Sequence, residues 1–296
     1  MTLLDMYENF ILSRRLADLS VARITDYQNM LKPFLEVLDA SRDFQSITQE
    51  DITSYIKALM ERPLSKASKI TYLRHLKVFL QWCSNDLPVL YSVKAIKVPK
   101  TPKRSVRIYT DEEVKTIFDS ISLSLEWLTV RNKCIVALMY DSGLRQSEVC
   151  NLKRADVAFS CRRLTVHGKG NKERIVPMGN LTYQYMQRFL ELCPYESKNF
   201  FVAYGGEPLT CNAVKLFVSK LADSLPFELS SHKLRHNFAT NYCIDQYKKF
   251  GQIDIYHLMY LMGHEDIITT KRYLHIAYEI IASEGCISHL DMVMSK

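Results

Sequence analysis

Apolar side chains recur at helical spacing through most of the first hundred residues. Within residues 20–38 they fall three or four positions apart, at Ile24, Tyr27, Leu31 and Phe34, and this spacing places them on one face of a helix. Residues 65–84 repeat the pattern with Ile70, Leu73, Leu76, Phe79 and Leu80. The first part of the protein is therefore predicted to be helical throughout.

Capping signals mark further helix starts in both halves of the chain. Thr48 is followed three residues later by Asp51, which takes the place of the usual glutamate in a capping box. Thr110 and Glu113 form a second capping box ahead of an apolar periodic run. A further apolar helix is predicted to end at Gly143, because glycine readily adopts the backbone conformation that ends a helix.

Residues 161–178 depart from the helical pattern. Leu164 and Val166 alternate with polar residues, a turn rich in small residues follows, and Ile175 and Val176 resume the apolar pattern. This arrangement is typical of an antiparallel β-hairpin. The predicted fold class is therefore mainly α, with an all-helical N-terminal domain and an α+β domain that contains a small antiparallel hairpin or sheet.

Two prolines mark a boundary between these parts. Pro99 and Pro102 lie in a stretch without helical periodicity, and proline both lacks a backbone donor and disfavours helix in the residue before it. We predict a helical domain over residues 1–98, a basic linker over 99–108 and a second domain over 109–296. The length of 296 residues suits two domains at about 100–200 residues each.

Composition narrows the class of protein. Apolar residues make up 47% of the chain, which is enough for a sizeable core. No apolar run approaches the roughly 20 residues of a membrane span, and the N-terminus lacks the basic region of a signal peptide. The eight cysteines form no C-x-x-C pair, which is typical of free thiols in a reducing compartment. We therefore expect a cytoplasmic protein without membrane association.

Positive charge is concentrated near the predicted linker. The formal net charge is +7, but its distribution is more informative. Six cations and no acid occur between residues 94 and 107: Lys94, Lys97, Lys100, Lys103, Arg104 and Arg107. Such a run is either a solvated linker or a strap along a phosphate backbone, where each contact releases counterions. The cations of residues 65–84 also allow two interpretations: they form an ordinary solvated helix face, or they face a DNA groove.

Four short stretches carry candidate chemistry. The stretch 142–152 places Arg145 directly after the helix-ending glycine and a leucine. The turn at 168–172 holds Lys169 and Lys172 on the predicted hairpin. Each feature alone has an ordinary structural explanation, since arginines form salt bridges and lysines are common in turns.

The other two stretches lie closer to the C-terminus. His232 and Arg235 are three residues apart and share a helix face, near a helix start capped by Ser230 or Ser231, where anions bind favourably. In the last stretch Gly263 ends a helix, His264 follows it, and Tyr273 comes nine residues later.

In order and spacing, these stretches resemble the signature of the tyrosine recombinase (phage integrase) family. That family has an arginine after a T/S-G-L motif, a lysine on a β-hairpin, an H-x-x-R, an L-G-H and a terminal tyrosine. The matching positions are Arg145, Lys169, His232, Arg235, His264 and Tyr273. The resemblance covers residues 109–280, and the helical N-terminal part looks like the family's core-binding domain. Met262 and a longer connection over 242–254 depart from the family pattern.

The resemblance implies a site-specific DNA recombinase that works through a 3′-phosphotyrosyl intermediate without metal or cofactor. Attack on a phosphodiester builds charge on its nonbridging oxygens, and two planar guanidinium groups are suited to clamp them. Arg145 and Arg235 are the predicted clamp. His264 is expected to donate a hydrogen bond to the same phosphate.

Proton transfers complete the implied mechanism. Tyr273 is the expected nucleophile, and a tyrosine hydroxyl with a pKa of about 10 needs a base or a strong positive potential. His232 is expected to accept its proton or to assist in doing so. Lys169 is the expected general acid for the leaving 5′-oxygen, with Lys172 as the alternative, and Tyr278 is the alternative nucleophile.

The implied partners are double-stranded DNA with specific recombination sites and further copies of the chain, which form a tetramer through the C-terminal tail. The residues predicted to contact DNA are Lys66, Lys69, Arg74, Lys77, Lys100, Lys103, Arg104 and Lys172. Two other functions stay open on the same fold, a catalytically idle DNA-binding protein and a tyrosine-type topoisomerase. A zinc site at His232, His236 and Cys243 is a weaker alternative, because no second group of ligands is apparent.

Overall fold

The computed structural model describes residues 1–99, 107–168, 172–284 and 293. The molecule divides into two compact units, Met1–Lys103 and Arg104–Lys296. Several predicted functional residues lie outside the described residues: Lys100, Lys103, Arg104 and Lys169. Most of the predicted linker and most of the C-terminal tail beyond residue 284 lie outside them too. The functions assigned to the two parts stay predictions.

The first unit is helical, as predicted. Its helices are α1 (Leu3–Leu16), α2 (Val21–Leu38), α3 (Gln49–Glu61) and α4 (Lys66–Asp86). Their apolar faces meet in one core, where the ring of Phe79 lies 5.3 Å from that of Phe10 and 6.3 Å from that of Phe34. The capping box at the start of α3 is confirmed, since the backbone amide of Thr48 donates to Asp51 at 2.8 Å.

The second unit combines helices with a small sheet. Its helices are α5 (Asp111–Asp119), α6 (Glu126–Tyr140), α7 (Gln146–Asn151), α8 (Asn180–Leu192), α9 (Cys211–Asp223), α10 (Ser231–Phe250), α11 (Ile255–Met262) and α12 (Ile267–Glu284). Its strands are β1 (Val157–Ala158), β2 (Arg163–His167) and β3 (Glu173–Pro177). In the part of the chain that is described, no helix is both long and apolar enough to cross a membrane.

The predicted hairpin is confirmed as β2 and β3, which pair antiparallel with Leu164 opposite Val176. Strand β1 extends the sheet on the other side of β2. It was not predicted, because two residues are too few to show alternation. Along β3 the buried side chains are Arg174 and Val176, so a charged residue occupies an inward-facing position.

Two glycines shape the turns beside the later site. Helix α6 ends at Tyr140, earlier than predicted, and Gly143 adopts a φ of +64° three residues beyond it. A Cβ at Gly143 would lie 2.3 Å from the ring of Phe238, so this turn requires glycine. Gly263 ends α11 with a φ of +56°, as predicted. Ser230 is the residue that caps α10.

Candidate active site

The C-terminus of α11 holds three arginines. The last carbonyls of a helix have no partner within it and carry the negative end of the helix dipole, so they attract cations. Three consecutive carbonyls here each accept a hydrogen bond from a different guanidinium group. The pairs are Arg174 with Leu261 at 2.8 Å, Arg235 with Met262, and Arg145 with Gly263 at 2.9 Å.

A buried carboxylate binds the same arginines. Both oxygens of Glu148 accept from Arg174 at 2.8 Å, and one of them lies 2.8 Å from Arg145 and the other 3.6 Å from Arg235. Burial alone raises the pKa of Glu148, but the hydrogen bonds and charge of Arg174, together with the Arg145 amide and the charge of Arg235, outweigh it and lower the pKa. One anion thus compensates three cations, and the cluster keeps an excess of positive charge.

An open cavity adjoins this cluster. Its volume is about 920 Å³, and its lining includes Arg145, Lys172, Arg174 and His264. The Arg145 side chain is 39% exposed, whereas that of Arg235 is 5% exposed. Burial and the nearby Arg145 lower the pKa of Arg235 to about 9, which still leaves it charged at neutral pH. Fixed cations at a concave surface suit an anionic ligand.

His264 is oriented by its neighbour on α12. Its Nδ1 lies 2.9 Å from the hydroxyl of Thr270, which is fully buried. Burial and the charges of Arg235 and Arg145 lower the pKa of His264 to about 4, so the ring is neutral at pH 7. When Thr270 donates to Nδ1, the ring hydrogen is on Nε2, which is then a donor for a ligand in the cavity.

Tyr273 is buried between α10 and α12. The residue is 2% exposed and packs in an apolar cluster with Ala239, Cys243 and Met262. Its hydroxyl lies 2.6 Å from Nδ1 of His236. Burial raises the pKa of Tyr273 above its usual value. Tyr273 is not among the described residues that line the cavity.

The arrangement around the tyrosine differs from the sequence-based expectation. The hydroxyl bonds to His236 rather than to His232, which is exposed and whose ring lies 4.1 Å from that of His236. Among the described residues, no group of three or more histidine, cysteine, aspartate or glutamate side chains is arranged to hold a metal ion, so the geometry does not favour the zinc alternative. Tyr278 is 44% exposed and meets the ring of Tyr247 edge-on.

The predicted DNA contacts of α4 fall into two groups. Lys66 and Arg74 are exposed. Lys69 donates to the carbonyl of Met60 at 2.6 Å, and Lys77 donates to that of Ile96 at 3.1 Å. These two amines bind carbonyls of their own unit in the DNA-free protein, and their contact with DNA stays a prediction.

Two residues of the site, Glu148 and Arg174, were not identified from the sequence, and His236 was considered only as a ligand of the alternative zinc site. Glu148 left a weak signal, because it lies three residues after Arg145 at the start of a helix and accepts from the Arg145 amide at 2.7 Å. The signal for Arg174 was stronger, because it is a charged residue at a position of the predicted strand that alternation places on the inward face. His236 lies one helical turn after His232, so it shares that histidine's face.

Comparisons with known proteins agree with this architecture. Residues 107–279 match the model of the phage integrase family. The tyrosine recombinase XerC of Psychromonas ingrahamii is 28% identical over 286 residues, which cover 94% of this chain and 92% of that protein. Among solved structures, the Tn1549 transposon integrase in complex with transposon right end DNA gives a TM-score of 0.72 at 17% identity, covering 96% of this chain and 99% of its own.

A second solved structure points the same way. The XerH site-specific recombinase bound to palindromic difH substrate gives a TM-score of 0.71 at 20% identity, and the match covers 95% of this chain and 83% of XerH. These likenesses confirm the predicted fold class. The family match spans more than half of the chain and includes the stretches that carry the motifs. The protein therefore belongs to the phage integrase family of site-specific tyrosine recombinases.

Proposed function

We propose that this protein cuts and rejoins DNA strands at specific sites through a 3′-phosphotyrosyl link to Tyr273. The observation that carries the proposal is the cluster of guanidinium groups and His264 at an open cavity, on the unit that also holds Tyr273. XerH and the Tn1549 integrase, which share the fold, are bound to DNA in their structures. Duplex DNA is the ligand proposed here.

The scissile phosphate binds at the cavity. Arg145 and Arg235 stabilise the charge that develops on its nonbridging oxygens, and a single preorganised donor of this kind contributes about 10²–10³ in rate. His264 donates from Nε2 to the same phosphate. Because Glu148 and the carbonyls of α11 already hold the guanidinium groups, little reorganisation is needed when the phosphate arrives.

The reaction conserves the energy of the phosphodiester. The Tyr273 hydroxyl gives its proton to His232 as its oxygen attacks phosphorus, the bond to the 5′-oxygen breaks, and the leaving oxygen takes a proton from Lys169. A 5′-hydroxyl from a partner strand then attacks the phosphotyrosine and restores the tyrosine. No metal or cofactor takes part. The active assembly is a cytoplasmic tetramer on two DNA sites, and the C-terminal tail joins its subunits.

Capture of the covalent intermediate tests the nucleophile. Duplexes that bind Tyr273→Phe protein are selected from a randomised pool, nicked near their centres and incubated with wild type. A label at the 5′ end of the cut strand should stay with the protein on a denaturing gel, whereas a 3′-end label should leave. Tyr273→Phe should bind these duplexes and form no adduct. Persistence of the adduct in this variant would rule out Tyr273 as the nucleophile and make Tyr278 the next candidate.

The same duplexes distinguish the remaining possibilities. Substituting sulfur for the leaving 5′-oxygen removes the need for a general acid, so it should restore adduct formation to Lys169→Ala. If the sulfur-substituted duplex instead restored adduct formation to Lys172→Ala, Lys172 would be the general acid. Relaxation of supercoiled plasmid without a bound site would identify a topoisomerase. Truncation after Ser283 should abolish tetramers on paired sites, and intact tetramers would disprove the role of the tail.

A further inference from the structure

We propose that His236 is a positioning residue that holds the Tyr273 hydroxyl in a resting site, apart from the cavity that receives the phosphate. The inference rests on the proposed function, since it takes Tyr273 as the nucleophile. It assigns a role to a histidine outside the matched motifs. His236 and Tyr273 are 7% and 2% exposed, so their bond is shielded from water.

The direction of the hydrogen bond follows from burial. A buried phenol hydroxyl needs an acceptor, and Nδ1 of His236 lies 2.6 Å from it, so Nδ1 accepts and the ring hydrogen is on Nε2. Burial and the neighbouring His232 lower the pKa of His236 to about 3, while burial raises that of Tyr273. The proton therefore stays on the phenol, and His236 holds the nucleophile without activating it in this state.

The surroundings stabilise the same resting position. Tyr273 packs with Cys243, Leu258 and Ala277, and an apolar site makes a lost hydrogen bond costly. Arg145, Lys172 and His264 line the cavity, and Tyr273 is not among the described residues of that lining, although its ring lies 6.3 Å from that of His264. Attack on a phosphate there requires the tyrosine to leave His236, so the strength of this bond controls how often the nucleophile is available.

Chemical nitration of the DNA-free protein measures that availability. Trypsin cleavage after Arg272 releases one peptide with both Tyr273 and Tyr278, because residues 273–295 contain no lysine or arginine. Fragment-ion mass spectrometry then gives the nitration of Tyr273 relative to Tyr278, an internal standard that is 44% exposed. Tyr109, which is 4% exposed in the same unit, reports any loss of folding.

Two substitutions separate the hydrogen bond from packing. Asparagine places its amide oxygen where histidine has Nδ1, so His236→Asn should keep the Tyr273/Tyr278 ratio near that of wild type. His236→Leu removes the acceptor and should raise the ratio roughly 2- to 12-fold, the equivalent of one net hydrogen bond. His236→Gln carries its amide one bond farther out and replaces the leucine variant if Tyr109 shows that leucine disrupts the fold.

A second tyrosine–histidine pair supplies the matched control. The hydroxyl of Tyr242 lies 2.8 Å from Nδ1 of His257 in the same unit, so His257→Leu should leave the Tyr273/Tyr278 ratio unchanged. An unchanged ratio in His236→Leu, or an equal rise in His236→Asn, would overturn the proposal. The readout needs no DNA, so a wild type that forms no covalent adduct would refute the proposed function while this test still stands.

Discussion

The two halves of the candidate site differ in how accessible they are in the DNA-free structure. At the end of α11, the guanidinium groups of Arg145 and Arg174 border an open cavity and are held by Glu148 and by backbone carbonyls. Between α10 and α12, Tyr273 is almost fully buried and bonded to a neutral histidine. The half that we propose to bind the phosphate is already assembled in the DNA-free structure, and the proposed nucleophile is buried away from solvent.

This difference has a physical reason. Cations that must stabilise transient charge are most effective when already fixed, because no energy is then spent on orienting them during the reaction. A nucleophile that would cut DNA gains nothing from being exposed without a correctly bound site. The predictions below test whether the two halves depend on the separate contacts that the structure gives them.

The largest effect is expected from Glu148→Gln. Glu148 is the buried anion shared by three guanidinium groups, and its loss leaves them close together without compensation. Removing one partner of a buried ion pair costs about 3–5 kcal/mol. We expect the free energy of unfolding in urea to fall by this amount, and covalent adduct formation to be lost with it.

An exposed ion pair gives the matched control for Glu148. Glu126 pairs with Arg188 at 3.0 Å, and both side chains are at least half exposed. Glu126→Gln should change the unfolding free energy by less than about 1 kcal/mol. A Glu148→Gln protein as stable as this control would mean that the guanidinium groups do not depend on the carboxylate.

A smaller effect is expected from Gly263→Ala, with Gly251→Ala as its control. Both glycines have positive φ, so both variants incur a backbone penalty of about 1–2 kcal/mol. A Cβ at Gly263 would lie 3.0 Å from Arg174 and 3.3 Å from Arg145, whereas a Cβ at Gly251 meets nothing within 4 Å. Only Gly263→Ala should slow adduct formation, by about tenfold or more, as expected when catalytic groups are misplaced. Equal rates of adduct formation in the two variants would show that the turn at Gly263 does not position the arginines.

The arginine cluster beside the cavity, which is the open half of the site, was only partly predictable from the sequence. The helix faces, the hairpin and the order of the motifs follow from local spacing, and the structure or the family match confirms them. The pairing of Glu148 with Arg174 joins residues 26 positions apart, and that of Arg145 with Gly263 joins residues 118 apart. No local pattern carries such pairings, although an inward-facing arginine on β3 indicates that some buried partner exists.

The surroundings of Tyr273, which form the closed half of the site, were even harder to predict from the sequence. His232 and His236 lie on one face of α10, and the sequence does not tell which of them meets Tyr273. That depends on the rotation of α10 against α12, which the packing of Ala239, Cys243 and Ala277 sets. The family resemblance pointed to the first histidine because it belongs to the motif. The buried contact involves the second.

Stability should depend on pH through both halves. Burial lowers the pKa of His264 from 6.5 to about 4 and that of His236 from 6.5 to about 3. Below pH 6.5 the unfolded chain therefore binds protons that the folded protein does not, so stability falls as the pH drops toward 4. Urea titrations between about pH 7 and pH 5 should show this slope above the range in which carboxylates titrate.

His264→Gln separates the contributions of the two halves to this slope. The variant removes the histidine beside the cavity and keeps His236, so the slope should become shallower without vanishing. A slope identical to that of wild type would show that His264 does not titrate differently on folding. A slope of zero would assign the whole effect to the open half.

The smallest effect concerns the exposed ion pair at the cavity, where Lys172 lies 2.8 Å from Glu265. Both side chains are more than 70% exposed, so Lys172→Gln should change stability by less than about 1 kcal/mol. It should nevertheless weaken DNA binding and reduce the salt dependence of affinity by about one counterion. Glu265→Gln removes an anion near the phosphate site and should bind DNA at least as tightly as wild type. If both variants weaken binding equally, the ion pair itself orders this edge of the cavity, and the open half is less complete before DNA arrives than its arginines indicate.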